Sequence, residues 1–396
     1  MKRAGITLLL IFAISCLSAF LSCGQAADET RDLHFTSLIF DAHCDTAMRL
    51  VGEERIDLGE RHESGHMDLP RMAEGGLDAQ IFACFLSPEL PKETWIKRVL
   101  QMIDAVWEQA NRHPNRLEVA LKGTDVRRIV DGGKVAAIIG IEGGHAIMDD
   151  LCVLRNYYRL GVRCMTLTWN NTNNWADSST DTMRWGGLNE LGRKVVGEMD
   201  RLGMIIDCSH VSDSTLFDVF ETTTNPVLIS HSCARALADV ARNVSDDGLR
   251  ALKENGGVIC VNYFPGFIDK VYFEQAVKLW EELRADIDKF ASRYGGDRGK
   301  TRRELRPAFR EKMAAVRKPT ISDLIDHIDY IVGIIGIDHV GLGSDFDGIS
   351  FGPEGLEDVS RLPAITEELA RRGYSDGDIR KILGGNLLRL VERVCR

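Results

Sequence analysis

The amino-acid sequence predicts an α/β protein built as a (β/α)8 TIM-type barrel. Three observations predict it. Eight short runs are continuously apolar and bounded by turn residues, as parallel strands covered on both faces should be. Segments with helical spacing of apolar residues alternate with these runs. No Gly-x-Gly-x-x-Gly follows any run, so the competing doubly wound dinucleotide sheet lacks its usual signature.

The first strand is the run 37–40, closed by Phe40-Asp41-Ala42-His43-Cys44-Asp45-Thr46, and the polar stretch 52–67 loops over its end. The second strand spans 78–86. Over 94–111 the apolar residues Ile96, Val99, Leu100, Ile103 and Val106 fall at helical spacing, and Pro114 stops the helix. The third strand, 135–141, runs into Glu142-Gly143-Gly144-His145. A helix over 149–160 ends at Gly161, and the fourth strand, 162–168, opens into a polar loop, 169–187. A helix over 191–202, stopped by Gly203, precedes the fifth strand, 204–210. Helices over 212–220 and 246–254 flank the sixth strand, 226–231, and the seventh is 258–262. A charged insertion, 270–318, is predicted as two helices placed before the last strand. A helix over 321–335 and the eighth strand, 339–345, follow, and two short helices, 362–372 and 376–383, close the chain.

The apolar share, 44%, supplies an ordinary globular core in a chain of 396 residues. The formal net charge of −10 argues against nucleic acid as a partner, because phosphate backbones call for basic surfaces. Lys2 and Arg3 precede an apolar stretch, 6–21, that gives way to Asp28-Glu29, the pattern of an export signal and short for a spanning helix. Ala19-Phe20-Leu21-Ser22-Cys23 resembles a bacterial lipoprotein cleavage box with Cys23 as the lipid-anchored residue. Ordinary cleavage near Gly24-Gln25-Ala26, or an uncleaved signal anchor, are the alternatives. The mature protein is therefore expected outside the cytoplasm, periplasmic or otherwise extracytoplasmic, with 1–27 as the signal segment. No linker or internal repeat divides 28–396, so it is assigned to one domain. The ten Cys form no C-x-x-C pair, which argues against a zinc knuckle, and most sit in apolar runs as small buried hydrophobes.

Chemistry-bearing residues collect at the C-terminal ends of the predicted strands. His43 and Asp45 end the first, Glu142 the third, His210 the fifth, His231 the sixth and Asp345 the eighth. Side chains two apart on a strand share a face, so His43 and Asp45 reach one point. Singly, each residue has an ordinary explanation: a strand-end hydrogen bond, a turn cap, a satisfied core histidine. In a barrel, however, these strand ends meet at one mouth, where active sites are built. Three imidazoles with several carboxylates exceed what one tetrahedral zinc needs. They point to two ions bridged by a carboxylate such as Glu142, with an acidified water and a polarised carbonyl, which is a hydrolase site.

The motifs Asp41-Ala42-His43-Cys44-Asp45, Ile141-Glu142-Gly143-Gly144-His145, Met165-Thr166-Leu167-Thr168, Ile206-Asp207-Cys208-Ser209-His210-Val211-Ser212, Ser230-His231-Ser232, Arg242-Asn243-Val244 and Gly343-Ser344-Asp345-Phe346-Asp347-Gly348 resemble the membrane (renal-type) dipeptidase family. The resemblance runs from about Leu38 to Leu390. It implies an amidohydrolase-like barrel carrying two Zn2+ and hydrolysing free dipeptides, C-terminal D-residues included, by a hydroxide held between the metals. It implies that His43 and Asp45 bind one zinc, that Glu142 bridges both, and that His210 and His231 bind the second. It gives Asp345 the proton transfer and Arg242 the substrate carboxylate, a task suited to a planar bidentate guanidinium. A homodimer is a further expectation from the family. One position departs from the pattern: Trp169 stands where the best-known members carry a substrate-contacting His. An indole donates one hydrogen bond but carries no charge. That substitution leaves open another amidohydrolase activity, on β-lactams or N-acyl-amino acids. A non-catalytic metal or peptide binder is the rival outside enzymes, and retention of Asp345 speaks against it.

Overall fold

In the computed structural model, residues 28–52, 55–283 and 298–396 are described, with Asp286 and Lys289 between the last two stretches. The signal segment 1–27, with Cys23, and part of the insertion lie outside the described residues. Among the described residues the strands are β1 (Phe40–Cys44), β2 (Ala79–Phe85), β3 (Leu117–Val119), β4 (Val135–Glu142), β5 (Val162–Thr166), β6 (Ile205–Asp207), β7 (Leu228–Ile229), β8 (Val258–Asn262) and β9 (Val340–Gly343). They run in the order β2-β1-β9-β8-β7-β6-β5-β4-β3, and pairing of β2 with β4 closes the sheet. Eight strands thus form the predicted closed parallel barrel, while β3 lies outside the circle against the start of β4.

Strand alternation sorts the core into two layers. One cluster contains Phe40, Ala42, Ala79, Ile81, Ala136, Ile138, Cys164, Ile205, Leu228, Val258 and Cys260, and fills the barrel. The helix Asn386–Val394 joins it through Leu387, Leu390, Val391 and Val394 and plugs one end. Intervening residues such as Ile139, Ile141, Met165, Ile206, Ile259 and Leu342 belong to the outer cluster shared with the helices. The inward parity continues past the apolar layer to Glu142, Thr166, Asp207, Ser230 and Asn262, which form a polar layer at the other end.

Three features differ from the sequence-based expectation. The first strand starts at Phe40, later than predicted, because a helix runs over 28–35 and the chain through 37–39 is irregular: the Ser37 hydroxyl donates to the Leu33 carbonyl, and the Ile39 amide to Asp78. The short strand β3 and the helix Gly123–Asp131 were not expected. A third helix, Asn386–Val394, closes the chain where only two were predicted. The predicted helix ends at 383, but the chain does not turn at the following Gly384, which serves close packing. A Cβ there would lie 2.5 Å from the Leu38 carbonyl oxygen, and the chain continues through a π-helical turn.

Among the described residues the insertion includes the helices Lys270–Glu282 and Arg298–Met313. They bury a small core of their own, Tyr272, Ala276, Leu279, Leu283, Phe309 and Met313. No helix among the described residues is long and apolar enough to cross a membrane.

Candidate metal centre

The polar layer brings His43, Asp45, Glu142, His210 and His231 together, each at most 6% exposed. Glu142, at the end of β4, stands in the middle. Its Oε1 lies 2.9 Å from His210 Nε2 and 3.6 Å from His231 Nε2. Its Oε2 lies 3.7 Å from His43 Nε2, which is 3.8 Å from Asp45 Oδ1. Asp345 joins His43 and Asp45 in a second group whose ligating atoms all fall within 4.8 Å of one another. One carboxylate therefore faces two imidazole groups with separate oxygens.

Turns after the strands aim the ligating residues. His210 adopts φ +70° and Asp345 φ +61°, left-handed conformations that ordinary residues seldom hold. The Asp345 amide donates to the His43 carbonyl at 3.0 Å, tying the end of β9 to that of β1. Gly348 makes room beside them: a Cβ there would collide with Asp345 Oδ1 and Asp45 Oδ2. Asp347, also at positive φ, is braced by the Thr46 hydroxyl at 2.8 Å and the His66 amide at 2.8 Å.

The donor set fits a cation. His43 Nε2, Asp45 Oδ1 and Glu142 Oε2 are buried and have no hydrogen-bond partner among the described residues, a costly state unless something else satisfies them. His210 Nδ1 meets Asn170 Oδ1 at 2.9 Å, a contact that becomes a hydrogen bond when the ring proton is on Nδ1 and the lone pair on Nε2. His210 Nε2 and His231 Nε2 nevertheless approach to 2.9 Å. Burial pushes His210 down to about 4 and His231 well below the usual imidazole range, so both imidazoles favour the neutral form that a metal ligand needs. Burial pushes Asp45 well up, and Asp345 up to about 6. Burial opposes charge on His43 as well, yet the carboxylates of Glu142, Asp45 and Asp345 drive it up to about 10. The pocket calls for positive charge, and a metal supplies it.

Arg242 is 6% exposed, and among the described residues its guanidinium donates to Ser232 Oγ and the His231 carbonyl, both at 3.1 Å. Its Nε has no partner. Burial lowers it to about 10 although Asp345 and Glu142 favour its charge. Trp169, half-buried, stands 4.9 Å from the Phe85 ring and 6.4 Å from the His210 ring, centroid to centroid. Cys44 points away from the cluster into the outer core.

Sequence reasoning missed four contributors: Asn170, which orients His210; Asn262, whose amide donates to Asp345 Oδ2 at 3.1 Å; Gly348; and the buried carboxylate of Asp207. The inward parity of β6 and β8 would have exposed Asp207 and Asn262.

A closed barrel whose mouth gathers imidazoles and carboxylates around orphaned lone pairs defines a metal-dependent hydrolase. The chain belongs to the membrane dipeptidase family, Peptidase family M19, which it matches over residues 27–396. It is 36% identical over 344 residues to the dipeptidase aclJ of Aspergillus oryzae, covering 84% of this chain and 71% of that protein. It superposes on the probable dipeptidase PvdM of Pseudomonas aeruginosa with a TM-score of 0.79 and 28% identity, over 94% of this chain and 98% of the other. A metallopeptidase from Rhodobacter sphaeroides, liganded with a phosphinate mimic of L-Ala-D-Ala, matches with a TM-score of 0.75 and 25% identity, over 91% and 99% of the two chains. The protein is a metal-dependent dipeptidase.

Proposed function

We propose that the protein holds two zinc ions and cleaves free dipeptides, including those with a C-terminal D-residue. One ion is assigned to His43, Asp45 and Glu142, the other to Glu142, His210 and His231. The observation that carries this is Glu142 itself, whose two oxygens face separate imidazole groups. When bound, the ions acidify a water and polarise the scissile carbonyl. The protein's own residues supply the rest. Asp345, whose Oδ2 is held by Asn262 and which groups with His43 and Asp45, is placed to accept a proton from the attacking water and return it to the leaving amine. Arg242 is a buried cation without a carboxylate partner at hydrogen-bond distance among the described residues, and it is assigned to the substrate's free carboxylate. Trp169 and Phe85 form an aromatic wall beside His210 that favours an apolar substrate side chain over a charged one. The ligand in the similar Rhodobacter sphaeroides metallopeptidase supports the D-residue reading.

We also assign 1–27 to an export signal with lipidation at Cys23, and 28–396 to a single catalytic domain outside the cytoplasm; Lys2-Arg3, the apolar stretch and the cleavage-box pattern support this.

The test is hydrolysis of L-Ala-L-Ala and L-Ala-D-Ala by protein stripped of metal and then titrated with zinc. Activity returning with two equivalents supports the assignment. Full activity at one equivalent removes the bridging role of Glu142. Cleavage of the L,L substrate alone removes the D-residue reading.

A further inference from the structure

We infer that Asp207 and Ser230 form a proton-ordering relay that fixes the tautomer of His231, making them positioning residues for the metal centre. This rests on the assignment of His231 as a metal ligand.

The argument is a count of hydrogens. Asp207 is 1% exposed and receives four donors. The amides of Ser209 and Ser230 reach Oδ1, both at 3.0 Å. The hydroxyls of Thr166 and Ser230 reach Oδ2, both at 2.6 Å. Four donors fill the lone pairs of an ionised carboxylate, which can only accept. The single hydroxyl hydrogen of Ser230 is thereby committed to Asp207. Ser230 Oγ also lies 2.7 Å from His231 Nδ1, and with its hydrogen spent it can only accept there. The Nδ1 atom of His231 must therefore carry the ring proton. Its lone pair is left on Nε2, the atom facing Glu142 and His210. Ser209 completes the arrangement. Its Oγ accepts the His231 amide at 2.9 Å and lies 3.3 Å from Ser230 Oγ.

The same count decides a second question. Asp207 belongs to a group with His43 and His231 whose polar atoms lie within 4.8 Å, so it has the placement of a direct ligand. Its oxygens are already occupied, and a metal would have to displace two hydroxyls and two amides. Asp207 therefore acts on the metal through His231.

Replacing Asp207 by Asn reverses the relay. A carboxamide turned so that its amide group donates to Ser230 Oγ releases the hydroxyl hydrogen toward His231 Nδ1. That protonates Nε2 and removes the lone pair. Ser230→Ala only deletes the constraint, leaving the tautomer free. Asp207→Asn should thus be the more damaging change, although it removes no side-chain volume.

The experiment measures two things on the full mature chain: the nitrogen shifts of 15N-labelled imidazoles in metal-free protein, and zinc affinity by competition with a chromogenic chelator. The wild type should show His231 as the Nδ1–H tautomer. Asp207→Asn should move it to Nε2–H and weaken zinc at one site by ~10–100-fold, with Ser230→Ala between the two. An unchanged tautomer in both variants overturns the relay, as does zinc affinity within twofold of wild type. Circular dichroism checks folding, and Ser230→Ala carries the test if Asp207→Asn does not fold. His231→Ala tests the underlying ligand assignment separately: if it leaves zinc affinity intact, the ligand reading fails, whatever the tautomer of His231 in the wild type.

Discussion

The two halves of the metal centre are held by different means. On the side of β6 and β7, side chains set the ligands. His210 leans on Asn170, and His231 on Ser230. On the side of β1 and β9 the backbone sets them. Asp345 and Asp347 sit at positive φ, as His210 does on the other side, but here backbone bonds join the two strand ends: the Asp345 amide is bound to the His43 carbonyl, and the Asp45 amide to the Phe346 carbonyl at 2.8 Å. There the candidate ligand atoms His43 Nε2 and Asp45 Oδ1 are buried without hydrogen-bond partners among the described residues. The contrast says that one half is organised before metal arrives, while the other is completed by it. Neutral imidazoles can wait in a dry pocket when their outer nitrogens are bonded. Clustered carboxylates cannot, since each raises the cost of charging the next.

Glu142 joins the halves, so Glu142→Gln should have the largest effect. It removes the negative charge both groups share. Activity should fall well beyond the ~10–100-fold that changes outside the ligand set cost, with bound metal dropping by at least one equivalent on elemental analysis. Retention of two ions would mean that the halves bind independently. Gly348→Ala tests the backbone-held half alone. The added methyl collides with both Asp345 and Asp45, and a displacement of about 1 Å at a reacting group costs ~100-fold in rate. The imidazole tautomers of His210 and His231 should stay as they are, and their change would erase the contrast. Arg242→Lys should be milder. Lys keeps the charge but loses the planar fork, so KM for free dipeptides should rise about tenfold, ~1.4 kcal/mol, with little change for substrates amidated at the C-terminus. An equal loss on both substrates would take Arg242 out of carboxylate recognition.

The same division explains what was readable in the sequence. The barrel was readable because eight apolar runs must be covered on both faces, and the cluster of candidate ligands because strand ends of a barrel meet at one mouth. His43 and Asp45 needed only the two-residue period of a strand. The relay was hidden for a different reason. Asp207 and Ser230 look like ordinary polar residues beside two histidines, and only the β6–β7 pairing, Asp207 opposite Leu228, brings them together. Gly348 was hidden too, since a glycine needed for close approach looks the same as one needed for a turn. The helix predicted to end at 383 continues in the fold, with Gly384 packed against the Leu38 carbonyl. Non-local contact, more than local propensity, was the missing information.

The insertion offers the smallest test. Trp280 stacks on Phe309 at 4.4 Å between centroids, uniting the two inserted helices. Their cluster reaches the barrel through Phe351, which packs edge-on against Tyr272 at 6.2 Å and lies beneath the Lys318 ammonium at 4.6 Å. Phe351 follows closely on Asp347, so the insertion bears on the backbone-held half and not on the imidazole half. Trp280→Ala removes an aromatic pair worth ~0.5–1.5 kcal/mol beyond its buried area. Amide hydrogens over 270–283 should exchange faster, kcat/KM should fall no more than severalfold, and the tautomers of His210 and His231 should not move. A loss above about tenfold would make the insertion a working part of the site, because so small a local destabilisation reaches the chemistry only if Asp345 depends on it. Unchanged exchange would mean that the inserted helices are held by the barrel and owe little to their own core.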